Sequence, residues 1–196
     1  AVNASITLAE EAGSSFPRYD ESWTSAGKLQ PDLWGINTDD DPRWDAARLR
    51  MEQFGIRNSL LLAIAPTATI ASISGCYECI EPAVSNLFKR ETLSGEFLQI
   101  NSYLVRDLQA LGLWDSDMVD KIKAGQGSIQ DIEEIPAELK NLYRTAWEIP
   151  MRSLIDLAAA RGPFLDQSQS LNLFIESPTI GKLSSMYAYA WKQGLK

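Results

Sequence analysis

The sequence predicts an α/β fold in which helix outweighs strand. Residues 59–65 form an apolar run without alternation, which is typical of a strand that is buried on both faces of a parallel sheet. From residue 95 onward, apolar residues recur at helical spacing in several segments. Only two or three segments favour strands, too few to close a barrel by themselves. We therefore expect a helix-rich α/β fold.

Capping residues delimit the helices of the first half. Residues 3–12 predict a helix that Gly13 ends. Asp41 is suited to an N-cap, and Pro42 to the first helical position of a helix that ends at Gly55. The stretch between these helices, residues 14–41, is rich in Gly, Pro, Ser and Asp and predicts an irregular, packed connection.

The remaining elements follow from the same signals. Pro66 ends the apolar run, and residues 67–74 predict a short helix closed by Gly75. A second strand is expected at residues 171–175. The later helices are predicted at residues 95–111, 115–124, 136–146, 150–161 and 183–192. No repeat or long linker divides the chain, so residues 1–196 are treated as one partial domain.

Composition excludes several classes of function. The 196 residues carry a formal charge of −8, which makes non-specific nucleic-acid binding unfavourable. No apolar run approaches the roughly 20 residues that span a bilayer, so no membrane partner is expected. Two cysteines are too few for a disulfide framework and favour a cytoplasmic protein. The absence of histidine removes the commonest catalytic base and metal ligand, and no metal site is expected.

The turn after the apolar run is a candidate anion site. Ligands of parallel sheets bind beyond the carboxyl ends of the strands. A helix that starts there offers backbone N–H groups and the positive end of its dipole. Thr67 and Thr69 add hydroxyl donors, and Ala68 and Ala71 are small enough to admit an anion. The alternative is an ordinary threonine N-cap, because no Walker lysine or glycine-rich fingerprint is present.

Several long motifs resemble one family. They are RNSLL-x-AIAPTATIASISG, IEP-x-x-SN, R-x-TLSGEF, LYRTAWEIP, RGPFLDQSQSLNLFIESP and GKLSSMYAYAWKQGLK. Together they resemble the large (alpha) subunit of class I ribonucleotide reductases, from about residue 3 to residue 196. The resemblance implies that this chain is the helix-rich C-terminal portion of the family's ten-stranded α/β barrel, incomplete by itself.

The resemblance also implies a function. The family reduces ribonucleoside diphosphates to deoxyribonucleotides by a thioredoxin-dependent radical mechanism, a step of deoxyribonucleotide biosynthesis for DNA replication. Its P-T-x-[ST]-x turn binds the substrate diphosphate, which carries over to Pro66, Thr67, Ala68, Thr69 and Ile70. Some relatives have a hydroxyl residue where Ile70 stands here, so its backbone N–H is the group expected to serve.

Other functional groups of the family are expected outside this segment. The thiyl-radical cysteine, the reducible cysteine pair, the acid/base residues and the ATP-binding and other allosteric effector sites are expected upstream of Ala1. A radical-transfer tyrosine pair is expected just after Lys196. No catalytic residue or cofactor is therefore expected in this chain, which should be inactive alone. The expected partners are the substrate, the remainder of the large subunit and the metal-containing small subunit that generates the radical.

Three further features favour structural roles. Cys76 and Cys79 form a C-x-x-C without a second ligand pair, which favours two buried or inert thiols over a redox or metal site. Glu81 is expected to be a buried, hydrogen-bonded carboxylate, although it could shape the pocket. The polar residues 166–169 are expected to form a packed network with no catalytic step.

The last helix has two possible roles. In the family, the equivalent helix helps to form a groove for the C-terminal tail of the small subunit. The candidate contacts are Lys182, Leu183, Met186, Tyr187 and Tyr189. The alternative for the helix is simple packing onto the barrel. The alternative for the whole chain is a stand-alone module, derived from the barrel, that binds this tail.

Overall fold

A computed structural model describes residues 1–65, 67–92 and 95–195 of the chain. The chain forms two compact units. Unit 1 comprises Ala1–Ala65, Ile155–Leu171 and Tyr187–Lys196. Unit 2 comprises Pro66–Leu154 and Asn172–Met186.

Helices dominate both units. Short 3-10 turns lie at Tyr19–Glu21 and Gly162–Phe164. The α-helices are α1 (Val2–Ala12), α2 (Gln30–Leu33), α3 (Pro42–Phe54), α4 (Ala68–Ser74), α5 (Ser102–Ala110), α6 (Ser116–Ala124), α7 (Ala137–Leu142), α8 (Met151–Arg161) and α9 (Ile180–Lys192). In the described part of the chain, none of these helices has the length and apolar character needed to cross a membrane.

The core of unit 1 forms between α1 and α3. Its fully buried side chains come from both helices and from the segments that flank α3: Ile6, Leu29, Ala47, Met51 and Ile56. Asp41 caps α3 as predicted, because its carboxylate accepts a hydrogen bond from the Arg43 N–H at 3.0 Å. The side-chain hydrogen bond from Arg43, followed by that backbone bond, lowers the pKa of Asp41 to about 2.

The predicted strand at residues 59–65 is wrong for this structure. The segment has no regular secondary structure and pairs with no strand among the described residues, and Leu60 and Leu62 are about half exposed. The backbone N–H and C=O groups of a strand need hydrogen-bond partners on a neighbouring strand. In this segment a carboxylate takes the place of such a strand. Asp166 accepts hydrogen bonds from the Leu61 and Leu62 N–H groups at 2.7 and 2.8 Å. The Asp166 N–H donates in turn to the Leu62 carbonyl at 2.9 Å.

The core of unit 2 lies under α5 and α6. It gathers the buried apolar side chains of these helices and of the loop that follows, Leu104, Leu108, Met118, Ile122, Ile129, Ile132 and Ile135. Asp115 caps α6 as predicted, since it accepts from the Met118 N–H at 2.8 Å. Tyr143 packs against this cluster and donates its hydroxyl to Asp107 at 2.6 Å. Partial burial, followed by that hydrogen bond, raises the pKa of Tyr143 to about 12.

A β-hairpin replaces the start of the long helix predicted at residues 95–111. Strand β1 (Leu87–Thr92) pairs antiparallel with β2 (Gly95–Ile100), and α5 begins only at Ser102. Asn101 stops the strand and caps α5, accepting hydrogen bonds from the Tyr103 and Leu104 N–H groups. Apolar residues at positions 97, 98 and 100 fit a helix as well as a strand, so their spacing did not separate the two.

Buried Asn86 anchors the base of the hairpin. Its side-chain amide donates to the carbonyls of Gly127 and Tyr143 at 3.1 and 2.8 Å, and its side-chain oxygen accepts from Asn101 at 3.1 Å.

The strand predicted at residues 171–175 is absent, because no neighbouring strand is available to it in the described part of the chain. Helix-rich units with one small open sheet are what an incomplete barrel would give.

Deleting the Leu108 side chain tests the core of unit 2. Leu108 is fully buried on α5. We expect Leu108→Ala to lower the free energy of unfolding by about 2–5 kcal/mol, because it removes buried methyl groups and leaves a cavity. Leu111→Ala is the matched control, since that leucine follows the same helix and is 51% exposed. Urea unfolding followed by circular dichroism measures both, and equal losses for the two variants would contradict the packing described.

Candidate functional site

The candidate turn lies at the start of α4. Thr67 precedes the helix, and its carbonyl accepts the first helical hydrogen bond from the Ala71 N–H at 2.7 Å. Gly75 ends the helix in the left-handed conformation, with φ 70° and ψ 27°. Both boundaries agree with the sequence prediction. Of the predicted site residues, Pro66 lies outside the described residues, and Ala68 begins the helix.

Exposure leaves the described part of the turn accessible to a ligand. Thr67 is half-buried, whereas Thr69 and Ile70 are exposed, Ile70 to 66%. The first N–H groups of a helix have no carbonyl partner within it, and the helix dipole gives them a partial positive charge. An anion at this position would meet backbone N–H groups and the Thr69 hydroxyl.

The Thr67 hydroxyl is already engaged. It donates to the Glu78 carbonyl at 3.2 Å, so it does not cap its own helix. Glu78 belongs to the loop of residues 76–81 that follows α4. Sequence reasoning missed this contact, because nothing in the spacing of residues 67 and 78 indicates that the loop folds back toward the start of the helix.

The two cysteines lie in this loop. Cys76 and Cys79 are free and exposed, which corrects the buried half of the expectation of two buried or inert thiols. Local desolvation, then the charges of Glu81 and Glu78, raise the pKa of the Cys79 thiol. A raised pKa reduces the thiolate fraction and therefore the reactivity. Within residues 1–65, 67–92 and 95–195, no group of three or more Cys, Asp or Glu side chains is arranged to hold a metal ion.

Glu81 and residues 166–169 have the structural roles that the sequence predicted for them. Glu81 is 9% exposed and accepts a hydrogen bond from the Asn172 N–H at 3.0 Å, which confirms it as a buried, bonded carboxylate. The 166–169 network is also present in unit 1. There Gln169 donates to the Ala158 carbonyl at 2.6 Å and accepts from Arg161 at 3.3 Å.

The candidate contacts on α9 divide between exposed and half-buried positions. Lys182 and Tyr187 are exposed, whereas Leu183 and Met186 are half-buried. Tyr189 is half-buried and donates its hydroxyl to Asp156 at 2.6 Å. Sequence reasoning missed two exposed apolar residues of this helix, Ile180 and Trp191, which are 86% and 74% exposed. Their spacing from Tyr187, seven and four residues, puts all three on one face and could have identified them.

Comparison with known proteins gives consistent matches. Residues 1–196 match the family described as "Ribonucleotide reductase, barrel domain". All of the chain aligns at 47% identity with the ribonucleoside-diphosphate reductase large chain of Schizosaccharomyces pombe, and covers 24% of that protein. It aligns at 45% identity with the large subunit of Caenorhabditis elegans, covering all of this chain and 25% of that protein. The chain therefore spans about a quarter of the length of these curated relatives.

A solved structure shows the same likeness. The class Id ribonucleotide reductase alpha subunit of Actinobacillus ureae is 29% identical and superposes with a TM-score of 0.62. The match covers 80% of this chain and 29% of that one.

Alkylation of Cys79 tests the electrostatics of the loop beside the turn. Because the pKa of Cys79 is raised above its ordinary value of 9.0, its labelling by iodoacetamide should reach half its maximal rate only above pH 9.0. Removing a nearby charge with Glu78→Gln should lower that midpoint, whereas Glu133→Gln, at a carboxylate that does not act on the Cys79 pKa, should not. Peptide mass spectrometry of labelled Cys79 measures the rate, and a wild-type midpoint at or below pH 9.0 would contradict the expectation.

Proposed function

The chain belongs to the ribonucleotide reductase barrel-domain family, and from this we propose that it serves as part of a ribonucleoside-diphosphate reductase large subunit. The proposed reaction is the thioredoxin-dependent, radical reduction of a ribonucleoside diphosphate to its deoxyribonucleotide. The proposed contribution of this segment is the turn of residues 66–70, which holds the substrate diphosphate. The names of the curated relatives support the reaction, and the geometry at the start of α4 supports the role of the turn.

Accessibility at the start of α4 is the observation that carries the proposal. Thr69 and Ile70 are exposed exactly where a helix offers N–H groups without intrahelical partners. Hydrogen bonds from backbone N–H groups to phosphate oxygens are charge-assisted and short, so several of them can hold an anion without a lysine. Backbone donors suit this chain, whose 26 acidic residues outnumber its 18 Lys and Arg.

Each residue of the turn has a different proposed role. Thr69 donates its exposed hydroxyl to a phosphate oxygen, and Ile70 contributes its N–H. Thr67 donates its one hydroxyl hydrogen to the Glu78 carbonyl in the free protein, and this hydrogen bond is exchanged for one to a phosphate oxygen when substrate binds. These groups bind and orient the substrate but move no electrons, and the radical and reducing groups are proposed to come from elsewhere in the assembled enzyme.

The side chains of this segment suit substrate binding better than radical or redox chemistry. The segment has no histidine, and its Cys79 thiol has a raised pKa that disfavours the thiolate. A metal-based radical source in the small subunit would supply oxidising equivalents. Allosteric nucleotides are likewise proposed to bind outside this segment, and the isolated chain is proposed to be inactive.

The exposed face of α9 supports a second role, docking of the small-subunit tail. Ile180, Tyr187 and Trp191 present apolar side chains at helical spacing on this face. Helical spacing puts Leu183 beside this face, whereas Lys182, Met186 and Tyr189 lie on other sides of the helix. A stand-alone module would bind a tail peptide through this face in calorimetry at high micromolar concentration. Absence of heat with the isolated chain, while the assembled subunit binds the same peptide, would exclude the stand-alone form.

Replacing both hydroxyl side chains tests the proposed turn. In a large subunit carrying this segment, Thr67→Ala combined with Thr69→Ala should weaken binding of a ribonucleoside diphosphate by about 2–5 kcal/mol, because two charge-assisted hydrogen bonds are lost. Equilibrium binding and the Michaelis constant both report this loss. Thr7→Ala on α1 is the control, since it removes a hydroxyl outside the turn. Unchanged affinity and rate in the double variant would refute the two proposed hydroxyl contacts.

A further inference from the structure

The loop of residues 76–81 folds back along α4 and contacts both of its ends. At the C-terminal end, the Cys76 N–H donates to the Ala71 carbonyl at 3.0 Å, just after the left-handed Gly75. At the N-terminal end, the Glu78 carbonyl accepts the Thr67 hydroxyl at 3.2 Å. The same loop therefore fixes the end of the helix and the position of the Thr67 oxygen.

Glu81 ends this loop and is its buried residue. Residues 76–80 are all exposed, whereas Glu81 is 9% exposed. Its Oε1 atom accepts the Asn172 N–H at 3.0 Å, a contact between residues 91 positions apart. Burying a carboxylate is unfavourable unless it is hydrogen-bonded, so this bond is a strong local determinant of where the loop lies.

The position of the loop controls the position of one phosphate donor. A threonine hydroxyl can rotate its hydrogen about the Cβ–Oγ1 bond without moving Oγ1. With the loop in place, the hydrogen bond to the Glu78 carbonyl orders the Thr67 side chain before substrate binds, and the hydroxyl hydrogen then exchanges that carbonyl for a phosphate oxygen. With the loop displaced, the side chain must also be ordered at the moment of binding, which weakens affinity.

We propose that Glu81 is a positioning residue for the diphosphate-binding turn. Its carboxylate fixes the loop of residues 76–81 by accepting the Asn172 N–H, and the loop orders the Thr67 side chain before the phosphate binds. This inference rests on the proposed function and deepens it. Glu81 touches no substrate and acts through the Glu78 carbonyl. All of the contacts involved lie within unit 2.

Kinetics of substituted large subunits carrying this segment, assembled with their small subunit, test the role. Glu81→Met removes the acceptor at similar length, Glu81→Gln retains an Oε1 acceptor, and Glu81→Asp draws the acceptor back by one methylene. Glu133→Met is the matched control, because it makes the same chemical change at an exposed position of unit 2.

Losing one hydrogen bond should raise the KM for a ribonucleoside diphosphate about tenfold in Glu81→Met, with kcat within about twofold of the parent. Glu81→Asp should give a smaller rise, and Glu81→Gln and Glu133→Met should match the parent. A merely structural carboxylate would instead lower the amount of active enzyme, and thus kcat, at constant KM.

The Thr67→Ala, Thr69→Ala double variant distinguishes failure of the Glu81 role from failure of the proposed turn. If it weakens substrate binding while Glu81→Met and Glu81→Asp leave KM unchanged, the positioning role of Glu81 is overturned and the turn stands. Equal KM for Glu81→Gln and Glu81→Met, both raised, would also overturn it, since charge and not the Asn172 bond would then matter. If the double variant itself binds normally, the hydroxyl contacts of the proposed turn are refuted, and the Glu81 role that acts through Thr67 is refuted with them. If Glu81→Met does not fold, the KM values of Glu81→Asp and Glu81→Gln still test the positioning role, because only Glu81→Asp should raise KM.

Discussion

The backbone N–H groups in the first turn of α4 have no carbonyl partners inside the helix, and the proposed function depends on them. In a chain of net charge −8, a bound diphosphate would be repelled by most of the surface. Local dipoles at a helix start provide attraction that does not depend on side-chain charge. The exposed Thr69 and Ile70 leave that helix start open, and Thr67 is tied to the loop behind it.

Local signals in the sequence predicted several helix ends, although the helices predicted at residues 95–111 and 136–146 are shorter in the structure. Asp41 and Asp115 cap their helices, and Gly13 and Gly75 end theirs, because each effect involves residues within a few positions of one another. The predicted strands failed for the opposite reason: residues 59–65 and 171–175 are apolar enough for strands, but a strand also requires a neighbour. The partner that residues 61 and 62 do find, Asp166, lies more than 100 positions away.

The candidate site was predictable in part. Its location followed from a family resemblance and from the general behaviour of helix N-termini, and the helix begins where those arguments placed it. The contact of Thr67 with the Glu78 carbonyl, and of Glu81 with Asn172, depends on how the following loop folds back, which no spacing rule encodes. On α9, a count of helical positions would have added Ile180 and Trp191 to the exposed face, whereas the half-burial of Leu183 and Met186 depends on tertiary packing.

Backbone hydrogen exchange gives the most direct test of the N–H groups at the start of α4. In a large subunit carrying this segment, amide exchange would be followed by mass spectrometry with and without a saturating ribonucleoside diphosphate. Slower exchange within residues 67–71, with little change in α5 and α6, is the predicted result. Unchanged exchange at residues 67–71 while the substrate is bound and turned over would show that the diphosphate is held elsewhere.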